Sequence, residues 1–439
     1  MNDAKKALDS LQTLLSAGVS PFHAVNEGIR RLEEKGFQEL ELGSAWEVAP
    51  GGSYYVNLYG SSLVAFSIGK NVGADKTAPR FRMAASHTDW PCLRIKPSPE
   101  MKKEGYGLLN VECYGGMLLQ TWLDRPLSIA GRVCLRGRDA FHPEVRLIDF
   151  KRPLLAVPNL ANHIKRESEK NAEPNKQIDM LPIMTAFKDQ LEEDDFFLGL
   201  LAKEAGVARS DILDYEFCVY NWEQGTLWGL NEEFYSSPRL DNLTSVEACL
   251  TGLLSAGRCG KDENTISLIA LYDNEEVGSR TKQGAASSAA DRIMEKLYLS
   301  LGFTREQYLS ALFDSFLLSM DVGHAYHPSK TGNYDPKNHT KVNEGVVIKM
   351  SSTQSYATDS TAVSVLEELC RAHEIPYRKF SNRSDIRGGS TLGSISSCEL
   401  AVRAADVGVG LLAMHSAMET MGACDQDALN RLTTAFFED

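Results

Sequence analysis

The chain has 439 residues, with 46 Lys and Arg against 59 Asp and Glu and a formal net charge of −13. Its 43% hydrophobic and 24% charged residues match a folded protein large enough for two or three domains, and they exclude disorder as the main state. The acidic balance argues against nucleic acid or an anionic membrane as partner, because both require a basic footprint.

In chain order, residues 2–17 and 22–36 read as amphipathic helices, with Ser20 and Pro21 as the start signal of the second. Met1 to Leu15 mixes charged and apolar residues and lacks both an apolar h-region and a cleavage site, so a secretory signal is not expected. Strands are expected at Leu63–Ile68 and Arg80–Ala85. From Pro91 to Trp228 the texture becomes short β runs, at Met117–Leu123, Leu127–Leu135 and Tyr215–Tyr220, with Glu167–Lys176 as a polar loop. After Pro238 strand and helix alternate. Strands are expected at Ile266–Tyr272, Phe316–Met320, Gly345–Met350, Tyr377–Phe380 and Val407–Leu412, and helices at 241–256, 284–299, 304–315, 358–373 and 416–424.

The expected fold class is therefore α/β: a mixed, largely parallel sheet with helices on both faces, interrupted by an inserted β-rich domain. The boundaries are 1–90 plus 229–439 for the α/β domain and 91–228 for the insertion. No apolar run approaches the roughly 20 residues that span a bilayer. The nine cysteines are scattered and never form C-x-x-C, which suits free thiols in a reducing cytoplasm rather than a disulfide scaffold or zinc finger.

Five short segments place potential metal ligands where an open α/β sheet builds its site, beyond the carboxyl ends of strands: Ser86–Asp89, Pro238–Asn242, Asp273–Glu276, Ser319–Asp321 and Ala413–Ser416. Taken singly, most have an ordinary reading too. His87 and Asp89 suit a ligating imidazole oriented by a carboxylate, or a structural histidine capped by one. Asp241 suits a ligand or a helix N-cap. Glu275 and Glu276 say more, because adjacent carboxylates at a strand end repel each other unless a cation or a proton intervenes. One can bind a metal while the other acts as general base. Together, two histidines (His87 and His415), three carboxylates and a spare carboxylate make a ligand set for two divalent ions sharing one bridge.

These residues carry a resemblance. SHTD at 86–89, SPRLDNL at 237–243, YDNEEVGS at 272–279, SMDVGHAYHP at 319–328, GVVIKMSSTQSYATDS at 345–360, SDIRGGSTLGSI at 384–395 and LAMHS at 412–416 resemble the aspartyl aminopeptidase family of metalloaminopeptidases along essentially the whole chain. The resemblance implies that His87, Asp241 and Asp321 hold one metal and Asp241, Glu276 and His415 the other. Glu275 would be the general base, and Asp89 would orient His87. It also implies an unusual cis bond at Asp241–Asn242. Two zinc ions are expected, though the same donors accept manganese or cobalt.

The family's substrates are peptides, with an acidic N-terminal residue preferred. Lys349 and Arg387 are the candidate cations for that side chain, with Tyr356, Gly389, Ser390 and His324 as further pocket residues. The segment around Arg387 departs from the pattern of the best-known acidic-specific members, which leaves a neutral or basic preference open. A catalytically inactive scaffold is a rival reading, set against by the presence of all five ligands and Glu275. No phosphate-cradling glycine motif appears. The resemblance further implies that the inserted domain mediates dimerisation, that the dimers build a tetrahedral dodecamer, and that His163 reaches into a neighbouring subunit's site to stabilise the oxyanion.

Overall fold

The computed structural model describes residues 2–74, 77–169, 172–186, 195–256 and 264–439, and the chain forms two compact units. The first comprises Met1–Asp89, Gly225–Met414 and Glu419–Asp439. Its main sheet has nine strands: β1 (Gln38–Glu39), β2 (Ser53–Leu58), β3 (Ser62–Ile68), β4 (Arg80–His87), β5 (Thr265–Tyr272), β6 (Phe316–Met320), β7 (Val346–Met350), β8 (Tyr377–Ser381) and β9 (Arg403–Gly408). They lie in the order β1-β2-β3-β5-β4-β6-β9-β7-β8. The sheet is mixed: β4, β5, β6 and β9 run parallel through its centre, while β3 pairs antiparallel with β5 and β7 antiparallel with β9.

The central strands are buried on both sides, which explains their near-continuous apolar runs. On one face Phe81, Met83 and Leu317 pack with Met294, Tyr298, Tyr308 and Leu392 from the helices Ala289–Ser300, Arg305–Phe313 and Leu392–Leu400. On the other, Met320 meets Cys249 of the helix Leu240–Ala256 and Thr433 of the helix Asp425–Glu438. A second sheet of this unit, five short strands, joins Thr226–Trp228, Phe234–Ser237, Glu419–Gly422, Gly410–Leu412 and Gly323–His324 in that order.

The second unit, Trp90–Gln224 with His415–Met418, is built on a six-stranded sheet. Its order is His142–Asp149, Leu127–Asp139, Ile212–Asn221, Cys92–Lys103, Tyr106–Tyr114 and Ile183–Ala186, and all of its pairings are antiparallel. Among the described residues, no helix is long and apolar enough to cross a membrane.

Several expected elements differ, among them Val407–Leu412, which is divided between Arg403–Gly408 of the main sheet and Gly410–Leu412 of the five-stranded sheet. Met117–Leu123 is not a strand; Leu119–Trp122 forms a 3-10 turn, and Leu119 and Trp122, three apart, both point inward. A period of three keeps both on one face, whereas a strand's period of two would send them to opposite faces. Residues 416–424 are not a helix. Glu419–Gly422 is a strand paired on both sides, with Phe234–Ser237 and with Gly410–Leu412, so backbone pairing outweighs the helix propensity of Ala417, Met418 and Glu419. The helix expected from 284 begins only at Ala289. Of the loop Glu167–Lys176, residues 170 and 171 lie outside the described residues.

The helix Leu240–Ala256, which carries Asp241 at its start, is tied to the N-terminal helices Asn2–Ala17 and Pro21–Glu33 by a buried charge pair. Arg31 Nη1 lies 2.7 Å from Glu247 Oε2, and the Glu247 side chain is 0% exposed. Ser10 Oγ donates to the same carboxylate at 2.6 Å. Removing the arginine leaves a buried carboxylate without its cation, which costs about 3–5 kcal/mol. Arg31→Leu is therefore expected to lower unfolding stability by about 3 kcal/mol or more in urea denaturation at fixed protein concentration. A loss below about 1 kcal/mol, the value of an exposed ion pair, refutes the anchoring role.

Candidate metal centre

The parallel strands β4, β5 and β6 end level with one another. His87, the last residue of β4, is the register partner of Tyr272, the last of β5, and Asp321 directly follows β6. At this carboxyl edge the chain must turn, so polar residues replace the apolar strand interior and converge. His87 Nε2 lies 3.5 Å from both Asp241 Oδ1 and Asp321 Oδ1. One ligand atom from each of His87, Asp241 and Asp321 falls within a 4.8 Å cluster, as does one from each of His87, Glu275 and Glu276. Asp241 and Glu276 also come within 4.8 Å of each other.

Asp89 works on two neighbours at once. Its backbone carbonyl and Oδ1 lie 3.1 and 3.4 Å from His87 Nδ1, which leaves Nε2 facing the carboxylates. Its two carboxylate oxygens also accept the backbone N–H groups of Glu275 (3.1 Å) and Glu276 (3.2 Å). The turn they clamp begins with Asn274 at φ 64° and ends with Gly278 at φ 99°, conformations that asparagine and glycine tolerate. Asp89 thus sets both the imidazole and the pair of glutamates, and only the first role was legible beforehand.

Asp241 precedes a cis peptide bond to Asn242. Its N–H donates to Glu419 Oε2 at 2.9 Å, and Asn242 Nδ2 donates to the Met320 carbonyl at 2.9 Å. Glu419 and Asn242 are site-supporting residues that sequence reasoning missed. Asp321 is held by its N–H on the Val407 carbonyl at 2.9 Å. That contact requires Gly408, since a Cβ there would sit 2.0 Å from the Asp321 carbonyl oxygen.

The electrostatics follow from crowding. Burial, together with the carboxylates of Asp321, Asp89 and Asp241, pushes Glu275 up to about 8 against the opposing pull of His87. Burial disfavours the charged form of His87, but Asp321, Asp89 and Glu275 outweigh it and raise its pKa well above the ordinary value. Burial likewise opposes ionised Asp321, yet Lys349 and His87 hold it well below the usual carboxylate range.

The remaining candidates are placed as follows. Lys349 is 1% exposed, with Nζ 3.4 Å from Asp321 Oδ2 and 3.1 Å from the Val322 carbonyl. Tyr356 is buried, lies under that ammonium at 5.3 Å, and accepts from Asn382 Nδ2 at 3.3 Å. His324 is half-buried, 6.4 Å from the Phe380 ring. Arg387, Gly389 and Ser390 lie in an exposed segment. The close approach in that segment occurs at Gly388, where a Cβ would meet the Asn382 amide at 2.2 Å, whereas Gly389 has open space around it. His163 and His415 belong to the second unit. His163 is exposed in a 3-10 turn, and His415 has φ 66° with Nδ1 3.1 Å from the Gly116 carbonyl.

Imidazole and carboxylate oxygens crowded in a buried pocket fit a divalent cation of the zinc, manganese or cobalt type, which would relieve the repulsion among them. The comparisons with known proteins agree. The family described as Aminopeptidase I zinc metalloprotease (M18) matches residues 14–437. A Clostridium acetobutylicum protein named Probable M18 family aminopeptidase 2 is 42% identical over 435 residues, covering 99% of this chain and 98% of its own. Among solved structures, a chain of the Ape4 and Nbr1 complex superposes with a TM-score of 0.93 at 32% identity, covering 99% of this chain and 86% of that one. The S. cerevisiae mApe1 dodecamer gives 0.85 at 26% identity, covering 100% and 97%. The chain belongs to the M18 family of zinc metallo-aminopeptidases.

Proposed function

We propose that the chain is a two-metal aminopeptidase that removes N-terminal Asp or Glu from peptides. The observation that carries this reading is the convergence of His87, Glu275, Glu276 and Asp321, at the ends of three parallel strands, with Asp241 at the start of the helix Leu240–Ala256. His87, Asp241 and Asp321 would hold one ion, and Asp241, Glu276 and His415 the other. Two such ions supply water activated near neutral pH, a polarised carbonyl and charge to stabilise the tetrahedral oxyanion. Zinc is the metal that the family's description names, and manganese and cobalt suit the same donors.

The chain's own groups do the rest. Glu275, set in its turn by Asp89, takes a proton from the attacking water and returns it to the leaving amine. Asp89 keeps His87 in one tautomer. Tyr356 and His324 line the substrate side, and Gly389 and Ser390 let a peptide backbone approach. Lys349 and Arg387 are the cations available to an acidic side chain. A neutral preference is the second reading, favoured by the engagement of Lys349 with Asp321.

In this proposal residues 91–228 form a dimerisation and lid domain, and His163 acts in a neighbouring subunit's site. The assembly is a homo-oligomer, with the dodecamer of S. cerevisiae mApe1 as its pattern, and the cysteines suit a cytoplasmic setting.

Three outcomes are expected. On X-Ala dipeptides with X as Asp, Glu, Leu, Ala or Lys, metal-stripped enzyme is inactive, and restored zinc, manganese or cobalt gives fastest release of Asp and Glu. Faster release of Leu or Lys transfers the assignment to the second reading. Glu275→Gln keeps the zinc-dependent rise in Tm but loses turnover by about a hundredfold or more, and near-wild-type kcat refutes the base. Co-assembled Glu275→Gln and His163→Ala chains regain activity that neither has alone. If verified mixed assemblies stay inactive, the shared-site proposal is lost.

A further inference from the structure

Asp406 is an acid in the interior of the main sheet, on β9, and it is 0% exposed. Its neighbours along the strand, Ala404, Ala405 and Val407, are apolar and buried, so a carboxylate here is costly unless donors meet it. Oδ1 accepts from Ser319 Oγ, its register partner on β6, and from Thr391 Oγ1, at 2.6 Å each. The other oxygen, Oδ2, accepts the Ala357 N–H at 2.5 Å. Burial pushes the carboxyl up, while Lys349 and these donors pull it back.

Ser319 belongs to the sheet, but Ala357 and Thr391 belong to two separate loops. Residues 351–359 lead from β7 to the helix Ser360–Ala372 and carry Tyr356; residues 382–391 lead from β8 to the helix Leu392–Leu400 and carry Gly389 and Ser390. The loops also meet each other. The Thr391 N–H donates to the Ser355 carbonyl at 3.2 Å, and Asn382 Nδ2 donates to the Tyr356 hydroxyl at 3.3 Å. The Asp406 N–H in turn donates to Thr358 Oγ1 at 2.8 Å, so the first loop is held by both the backbone and the side chain of one residue. Gly393 makes the approach possible, since a Cβ there would lie 2.5 Å from both Asp406 Oδ1 and Ser319 Oγ.

One buried carboxylate therefore has an oxygen for each loop. If either loop departs, an oxygen loses a donor in an enclosed place, and a buried charged acceptor left short of its partner is costly. We infer that Asp406 is a positioning residue for substrate binding: through Ala357 and Thr391 it docks the loops 351–359 and 382–391 as one unit, and so fixes where Tyr356 stands relative to Gly389 and Ser390. This rests on the reading of those residues as the substrate side of an aminopeptidase.

The test uses the full-length chain with zinc restored, as wild type, Asp406→Asn, Thr391→Val and Ser319→Ala, each on the X-Ala dipeptide that the wild type cleaves fastest. Asparagine keeps the shape of aspartate but turns one acceptor oxygen into a donor, so it cannot serve both loops. Asp406→Asn is expected to raise KM by about tenfold or more, the size of one hydrogen bond to a charged group, with kcat within about threefold of wild type. Amide hydrogen exchange on the metal-free chains should be faster in this variant at both Ala357 and Thr391. Thr391→Val and Ser319→Ala each remove one hydroxyl from the same carboxylate oxygen, yet only Thr391→Val should raise KM, by about threefold or more, because Ser319 lies on a strand and in neither loop. That comparison holds even if Asp406→Asn folds poorly. An unchanged KM in Thr391→Val, an equal rise in KM for Ser319→Ala, or faster exchange in Asp406→Asn at only one of the two amides overturns the inference. If the zinc-loaded wild type cleaves none of the dipeptides, the peptidase reading itself falls and takes this inference with it.

Discussion

Five carboxylates, those of Asp89, Asp241, Glu275, Glu276 and Asp321, lie around the imidazole of His87 at one edge of the sheet. Bringing like charges together in a buried place is unfavourable by several kcal/mol per uncompensated ion, so the fold must hold them there against their own repulsion. Much of the local structure is explained by that need. Asp89 accepts two backbone amides, Asp241 is tied by its N–H to Glu419, and Asp321 hangs from the Val407 carbonyl while Lys349 offsets its charge. The helix that begins at Asp241 is in turn fastened by Arg31 and Glu247. A divalent cation held there would meet donors already in place, and less of its binding energy would be consumed in ordering them.

The same crowding gives the two glutamates different surroundings. They are adjacent in sequence and sit in one turn, yet Glu276 shares a cluster with Asp241 whereas Glu275 is raised by burial and by the carboxylates around it. One short turn thus places a carboxyl of raised proton affinity beside a carboxylate that shares a ligand cluster with Asp241.

The sheet and the convergence of candidate ligands at its edge were legible because each signal is local. An apolar run ending in a short polar cluster marks a buried strand and its functional edge, and His87, Glu275, Glu276 and Asp321 all announce themselves in that way. The long-range contacts of the supporting groups were not legible, because their partners are distant in sequence. Asp89 reaches amides 186 and 187 residues away, and Glu419 reaches one 178 residues away. Glu419 was further hidden by its setting in a segment with helix-forming residues that the structure uses as a strand. For Lys349 the strand was legible but its neighbour across the sheet was not, since Asp406 becomes its partner only through the antiparallel pairing of β7 and β9. The motif glycines illustrate the same limit: Gly388 makes room for Asn382 rather than for a ligand.

The first unit is discontinuous, and that has a consequence for how the protein is made. The strand carrying His87 is complete at residue 87, but its neighbours β5 and β6 begin at Thr265 and Phe316. At a synthesis rate of about 5–20 residues per second, β4 waits on the order of ten to thirty seconds for its first central partner. The six-stranded sheet has every strand between Cys92 and Asn221, so it can close during that interval. When the last strand of that sheet has been made, β4 still lacks both of its neighbours, and the segment His415–Met418 that completes the second unit is the last part of it to be synthesised.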